Sequence, residues 1–570
     1  MTNAEEDMHT NSHGWLIDEL LDGQRALTAV DLFSRKHTPQ TTPPPGDKTY
    51  RDLIPLAAPA QGEQYAFEVD LDACSGCKAC VTACHSLNGL EENETWRSVG
   101  MLQGGSPRLP VIQHVTTACH HCLDPACLTG CPVKAYEKDP VTGIVRHLDD
   151  QCIGCRYCML MCPYDVPQYS SQKGIVRKCD MCHDRLTSGE APACVQSCPN
   201  GAIRIRVVSQ HSITEDSETN LFLPGAPEPG QTLPTTLYKT RRSLPRNLLP
   251  ADYYSASPQH SHLPLVFMLV LTQMSVGAFV VEQALLATPL SNRAWIAAAR
   301  PVHLLAALGL GLLGMMAAVL HLGRPRYAFR AVLGLKTSWL SREIAALGLF
   351  SLFAAIYASS AVGKWPAWIL PHGAQQACGM AATLAGVAAV VCSVMVYAAT
   401  GRPFWNLGAT SLKFLLTALV LGLPASLLIG LIAGVWTEGE SIRGVMADYG
   451  TLVCRWLIVL VTAKLLLEAL IFGELRRKQR TPLKRTALLM TGELSATTLQ
   501  RFFFGVVGGV VLPGVLLAEH GLAGEGGFSP LFVALVVTLL LVVLLVGELL
   551  ERYLFFTAVV APTMPGSPAS

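Results

Sequence analysis

The run CSGCKACVTAC at residues 74–84 sets Cys74, Cys77, Cys80 and Cys84 with two, two and three residues between them. Three further quartets follow. CHHCLDPACLTGC carries Cys119, Cys122, Cys127 and Cys131, and CIGCRYCMLMC carries Cys152, Cys155, Cys158 and Cys162. The split pair CDMC and CVQSC supplies Cys179, Cys182, Cys194 and Cys198. Three thiolates at this spacing wrap one short loop around a face of an iron–sulfur cubane, while the fourth, on a helix pointing away, reaches a second cluster. Two quartets therefore make two clusters. Pro132, Pro163 and Pro199 directly follow the last cysteine of three quartets, as in the bacterial ferredoxin run.

Other uses of cysteine fit less well. Structural zinc takes two separated CxxC knuckles, and only Cys179, Cys182, Cys194 and Cys198 approach that pattern. Disulfides need an oxidising compartment, and residues 1–30 show no basic start followed by an apolar core. The remaining cysteines, Cys378, Cys392 and Cys454, lie in apolar helix-like sequence and read as inert core thiols.

Around the quartets the chain of 570 residues changes character. Only 15% of it is charged and 50% is hydrophobic, with the apolar residues concentrated after residue 262, so half of it belongs in a lipid bilayer. Its 43 basic and 42 acidic residues give no polyanion signal, which excludes nucleic acid as a partner. Residues 1–48 read as an amphipathic helix over 14–36 and a Pro-rich tether, either covering the next domain or docking on a partner subunit. Residues 49–205 form an α+β ferredoxin-like iron–sulfur domain, with a strand over 64–71 and a hairpin turning at Pro140–Gly143. Residues 206–262, rich in Pro, Ser and Thr, read as a linker. Residues 263–570 form an all-α polytopic membrane domain.

Eight apolar runs mark that domain, near 265–287, 302–322, 343–363, 377–399, 412–436, 451–473, 502–520 and 530–552, each close to the ~20 residues a spanning helix needs. In the segments adjoining the apolar runs, nineteen Lys and Arg lie on the side of the cysteine domain, against Arg293, Arg300, Lys364 and Arg443 opposite. The positive-inside rule then puts the cysteine domain on the cytoplasmic face of an inner membrane.

Ionisable groups within spanning helices are functional candidates. His321 closes the second helix, and Arg342 and Glu343 open the third. Lys464 and Glu468 lie near the end of the sixth helix, Glu548 and Arg552 near the end of the eighth, and Trp405 and Asn406 follow the fourth. All of these face the cysteine domain. The pairs Lys464–Glu468 and Glu548–Arg552 have the i,i+4 spacing of self-neutralising ion pairs. Glu282, His303 and His520 belong to the far side. His303 and His321 are roughly 27 Å apart along one helix at 1.5 Å per residue, so they cannot share a haem; His303 with His520 is the one pair at similar depth.

Residues 64–205 resemble the four-cluster ferredoxin subunit of the molybdopterin oxidoreductases. HLGRPxxAxRA followed by SWLSREI, with GELLERYLFF in the last helix, resembles the eight-helix, haem-free membrane anchor of the dimethyl sulfoxide reductase family. The chain thus resembles two subunits fused. The resemblance implies crossed ligation: Cys74, Cys77 and Cys80 with Cys198; Cys179, Cys182 and Cys194 with Cys84; Cys119, Cys122 and Cys127 with Cys162; Cys152, Cys155 and Cys158 with Cys131. No cysteine of the second quartet is replaced, as it is in three-iron relatives, so four [4Fe–4S] clusters are expected. The family's quinol-site histidine falls on His321.

The function implied is that of an electron-transfer and membrane-anchor subunit of anaerobic respiration. It takes electrons from menaquinol through the clusters to a separate molybdopterin catalytic subunit. His321 serves as proton acceptor, with Glu343 or Glu548 as relay, and no haem is expected. Two alternatives stand beside it: the reverse flow, from a formate- or sulfur-oxidising partner to quinone, and a membrane scaffold with structural metal sites.

Overall fold

A computed structural model describes Asp22 and residues 52–362, 371–522 and 529–566. The chain divides into two compact units, Met1–Ala57 and Ala58–Ser570. Apart from Asp22, the amphipathic helix expected over 14–36 lies outside the described residues. The second unit holds both the cysteine quartets and the apolar helices.

Its first strand, β1 (Glu63–Asp70), buries Ala66, Phe67 and Val69 and takes the centre of a three-stranded sheet. A hairpin of β2 (Ser98–Ser106) and β3 (Leu109–Thr117) follows helix α1 (Ala79–Asn88). Two short hairpins then frame the middle quartets: β4 (Tyr136–Lys138) with β5 (Val145–His147), and β6 (Gln168–Ser170) with β7 (Ile175–Arg177). Between them lies α2 (Tyr157–Met161). The β4–β5 turn falls where the sequence places it. Asp139 accepts from the backbone N–H groups of Val141 and Thr142 at 2.9 and 2.7 Å, and Gly143 takes the left-handed conformation.

The expected linker is instead part of this domain. Strand β8 (Ile203–Ser209) pairs antiparallel with β1, and α3 (Gln210–Glu218) follows it. Strand β9 (Leu237–Lys239) pairs parallel with β1, and β10 (Leu249–Pro250) pairs with β2. Pro suggests coil because it lacks a backbone N–H, and Ser and Thr because their hydroxyls compete with backbone bonds. Here those hydroxyls have buried partners: Thr235 donates to the His120 carbonyl at 2.7 Å, and Thr236 bonds the His120 ring at 2.8 Å.

Eight helices long and apolar enough to cross a membrane follow among the described residues. They are α4 (Leu263–Leu286), α5 (Ala294–Leu320), α6 (Trp339–Ala361), α7 (Gly373–Ala398), α8 (Leu407–Trp436), α9 (Ile442–Arg476), α10 (Ser495–Ala518) and α11 (Pro530–Thr557). Lipid tails are as apolar as leucine, so association between such helices relies on close packing of small residues. Gly277 of α4 shows this: a Cβ there would overlap the Ala418 carbonyl of α8, and one on Gly422 would lie 2.5 Å from the Gly277 backbone.

The loop between α5 and α6 fastens the helices to the cysteine domain, which explains the HLGRPRYAFRA motif. Arg324 and Arg330 donate to the carbonyls of Asp149 and Asp150 at 2.8 and 3.0 Å. Ser338 donates to Gly130 at 2.7 Å, and the Arg324 amide donates to Ile153 at 3.0 Å. Gly323 meets the Gly174 carbonyl so closely that no side chain fits.

Candidate functional site

All four cysteine loops share one backbone device. The residue before the second cysteine is left-handed in each: Gly76, His121, Gly154 and Met181, with φ of 73°, 43°, 69° and 60°. Such a φ is free for glycine but costs energy for His and Met. It turns successive amides inward, forming a concavity that favours negative charge. The amides of Gly154 and Met181 accordingly donate to the sulfurs of Cys152 and Cys179, each at 3.4 Å. A second device follows the Cys-Pro pairs. Lys134, Asp165 and Gly201 are left-handed three residues after Cys131, Cys162 and Cys198, and the amides of Ala135 and Ala202 donate to Cys131 and Cys198 at 3.2 and 3.3 Å.

The thiols crowd in four sets. Cys74 feels the charge of Cys77, Cys80 and Cys198. Cys84 feels Cys182 and Cys194, and Cys179 feels both Cys84 and Cys194. Cys127 feels Cys119, Cys122 and Cys162, and Cys158 feels Cys131, Cys152 and Cys155. Between sets, Cys80 reaches Cys194 and Cys179 reaches Cys119. Burial, reinforced by Cys194, pushes the Cys84 thiol up to about 12; Cys182, partly buried, rises to about 11. Thiols held this way ionise only against strong positive charge, which iron supplies.

Fit to a multinuclear group is direct at one set. Cys119, Cys122, Cys127 and Cys162 line a single small cavity with Lys178, whose ammonium lies 3.6 Å from the Cys119 sulfur. Among the described residues no three His, Cys, Asp or Glu side chains come close enough to hold a single ion. Cys198, which the zinc alternative needs beside Cys179 and Cys182, crowds Cys74 instead.

A second cavity, of roughly 260 Å³, opens where the helices meet the Cys152–Cys162 loop. His321, at the end of α5, and Glu343, near the start of α6, both line it and are 8% and 2% exposed. The Glu343 carboxylate is hydrogen-bonded by the Ser393 hydroxyl of α7. Cys155, Arg156 and Tyr157 enter from the cysteine domain. Tyr157 is anchored there by donating to the Val396 carbonyl at 2.9 Å. His262, just ahead of α4, completes the polar lining. The sequence reading singles out His321 and Glu343 but passes over His262 and Arg156, whose only signals are the HSH triplet at 260–262 and a place beside a cysteine.

Glu548 is elsewhere. It accepts from Thr417 at 2.8 Å and is ion-paired with Lys464 and, at 3.1 Å, with Arg501. Lys464 and Glu468 are therefore not partners of each other. Glu468 is bound bidentately by Arg501 at 2.7 and 2.9 Å, and Arg552 turns to Gln273 and Glu551. Sequence spacing suggests pairs one turn apart within a helix, whereas packing sets Lys464, Glu468 and Glu548 against partners on other helices. On the far side, His303 bonds the Ala278 carbonyl at 3.0 Å, and Glu282 pairs with Arg300. The side chain of His520 lies outside the described residues.

Cysteine loops of one geometry, joined to eight apolar helices around a shared cavity, define a membrane-anchored iron–sulfur electron-transfer protein. Residues 258–557 match the family model described as DMSO reductase anchor subunit (DmsC), and residues 111–208 match that of the 4Fe-4S dicluster domain. The chain belongs to the dimethyl sulfoxide reductase family, as an iron–sulfur subunit and a membrane anchor subunit fused in one polypeptide. It is 39% identical over 150 residues to an anaerobic dimethyl sulfoxide reductase subunit of Haemophilus influenzae, covering 73% of that protein and 25% of this one. It is 39% identical over 148 residues to the corresponding Escherichia coli subunit, covering 72% and 25%. The formate dehydrogenase-O iron-sulfur subunit of Escherichia coli is 31% identical over 195 residues, covering 61% and 31%. The protein is thus a multi-pass electron-transfer subunit of an oxidoreductase complex.

Proposed function

We propose that the chain oxidises menaquinol in the cavity between His321 and Glu343 and delivers the electrons to a molybdopterin catalytic subunit. One observation carries this reading. His321, Glu343 and the cysteine Cys155 line the same cavity, so proton acceptor and electron acceptor meet at one place. The walls are mostly apolar, with a few convergent polar groups, as suits a quinol ring and its tail. His321 is positioned to take a proton from the quinol hydroxyl, the task for which imidazole is best matched near neutral pH. Glu343 is the second base. Of the two relays expected, Glu343 and Glu548, the cavity favours Glu343, since Glu548 is held by Lys464 and Arg501.

The crossed ligand sets that the family resemblance implies are supported by the four crowded thiol groups. Loaded with [4Fe–4S] clusters, these sets supply four one-electron carriers, beginning at Cys155 and ending at Cys77, which is exposed. That exposed end is where the catalytic partner docks. The excess of basic residues on the same side supports a cytoplasmic position for the domain at the inner membrane. The similarity to a formate dehydrogenase subunit favours, as a second reading, the same path run towards quinone. Menaquinol added anaerobically to the cluster-loaded protein should bleach the cluster absorbance. If dithionite bleaches it and menaquinol does not, the proposal fails.

A further inference from the structure

The cavity has a way out that its two bases do not provide. Three imidazoles stand in file from it towards the cysteine domain. The His321 and His262 ring centroids are 5.1 Å apart with planes at 75°, and those of His262 and His260 are 4.7 Å apart at 59°. Exposure rises along the file: His321 is 8% exposed, His262 is partly buried, and His260 is exposed. His262 is the joint. It lines the cavity of His321 and also a second cavity of roughly 380 Å³, shared with His260, Asp165, Gln168 and Arg402.

His262 is held there at a cost. Its φ of 46° is left-handed, a conformation that disfavours most side chains outside glycine and asparagine. Its Nδ1 is buried and has no hydrogen-bond partner among the described residues. An imidazole nitrogen left without a protein partner at the junction of two cavities is free to exchange a proton. The groups facing it are His321, His260, Arg156 and Arg402; burial and these neighbours lower its pKa to about 3, so it rests neutral and a proton placed on it moves on. His260 accepts from the His262 backbone N–H at 3.1 Å, which fixes the spacing of the outer pair.

We propose that His262 and His260 are the proton exit of the His321 cavity, an inference that rests on reading that cavity as the site of quinol oxidation. Oxidation of one quinol breaks two O–H bonds and releases two electrons and two protons. The electrons leave by way of the cysteine domain. Each proton taken up by the cavity's bases passes through His262 to His260 and then to water in the outer cavity. Each imidazole gives up the proton on one nitrogen as it gains one on the other; at His260 the gaining nitrogen is Nδ1, which releases the His262 backbone N–H to take the proton while Nε2 gives its own to water. Glu548 offers no competing route, being held by Lys464 and Arg501.

The test uses the full chain loaded with clusters, with two variants that leave the helices intact. His262→Asn keeps a residue that tolerates the left-handed backbone, and His260→Gln changes an exposed side chain. Three quantities are read: affinity for a fluorescent quinol analogue, the rate of cluster reduction by menaquinol, and the effect of added free imidazole on that rate. The expected result for His262→Asn is unchanged analogue affinity, a rate lowered about tenfold, and partial recovery with imidazole; His260→Gln should show a smaller loss and the same recovery. An undiminished rate in both variants, while His321→Leu is slow, overturns the exit and leaves the quinol site standing. A rate loss matched by loss of affinity, with no recovery in imidazole, makes His262 a quinol ligand and also overturns the exit. If His321→Leu is as fast as the unaltered chain, the quinol-site reading itself fails.

Discussion

Cys155 and His321 open onto one cavity, the first from a cysteine loop of the ferredoxin-like domain and the second from the end of a membrane helix. The contact is enforced by backbone, since Gly323, two residues after His321, meets Gly174 with no room for a side chain. Fusion of the two parts in one chain makes their association at this junction intramolecular.

Crossed ligation gives a sharp expectation. Cys84→Ser should disturb the cluster held by Cys179, Cys182 and Cys194, which Cys84 crowds, and leave that of Cys74, Cys77 and Cys80. Electron paramagnetic resonance of the reduced protein separates the two cases. Loss of the Cys74 cluster alone would show that each quartet binds its own.

Metal content follows from the same four sets. Anaerobically purified protein should hold about sixteen iron atoms and as many acid-labile sulfides per chain. Iron chelation should lower thermal stability sharply, because the free energy of metal binding, which contributes directly to folding, is then lost. Zinc in stoichiometric amount without sulfide would refute the assignment.

The ion pair of Lys464 and Glu548 should be structural. Lys464→Met leaves a buried carboxylate short of a partner and should destabilise the membrane domain by about 3–5 kcal/mol. Adding Glu548→Gln should recover much of that. Thermal unfolding in detergent, followed by tryptophan fluorescence, reads both; a double variant no more stable than Lys464→Met would show that the pair is not the unit.

Gly277 marks the closest approach of α4 and α8. Gly277→Ala should force those helices apart at the Ala418 carbonyl and cost about 1–3 kcal/mol. The same substitution at Gly309, which has open space around its Cβ position, should be nearly neutral. Equal effects at both sites in the same unfolding experiment would contradict the packing.

Much of this was legible in the sequence, for physical reasons that differ by region. Cysteine spacing is dictated by the size of a cubane, so the quartets announced themselves, and apolar length is dictated by bilayer thickness, so the eight helices did too. Residues 206–262 misread as a linker because Thr235 and Thr236 spend their hydroxyls on His120, a partner far away in sequence. The charged pairs misread because i,i+4 spacing knows nothing of neighbouring helices; Arg501, which binds both Glu468 and Glu548, carried no motif. His262 was invisible for a third reason, since its role depends on a left-handed backbone and on two cavities formed only by the folded chain.

The most direct measurement is the rate at which menaquinol reduces the clusters in His321→Leu, beside dithionite reduction of the same sample. The expected result is a loss of at least about tenfold with menaquinol and full reduction with dithionite, because a general base contributes about a hundredfold or more. His303→Gln, altered where the ring bonds Ala278 on the far side, should stay near the unaltered rate. A slow His303→Gln and an unaffected His321→Leu would place quinol oxidation on the side away from the cysteine domain and contradict the cavity as its site.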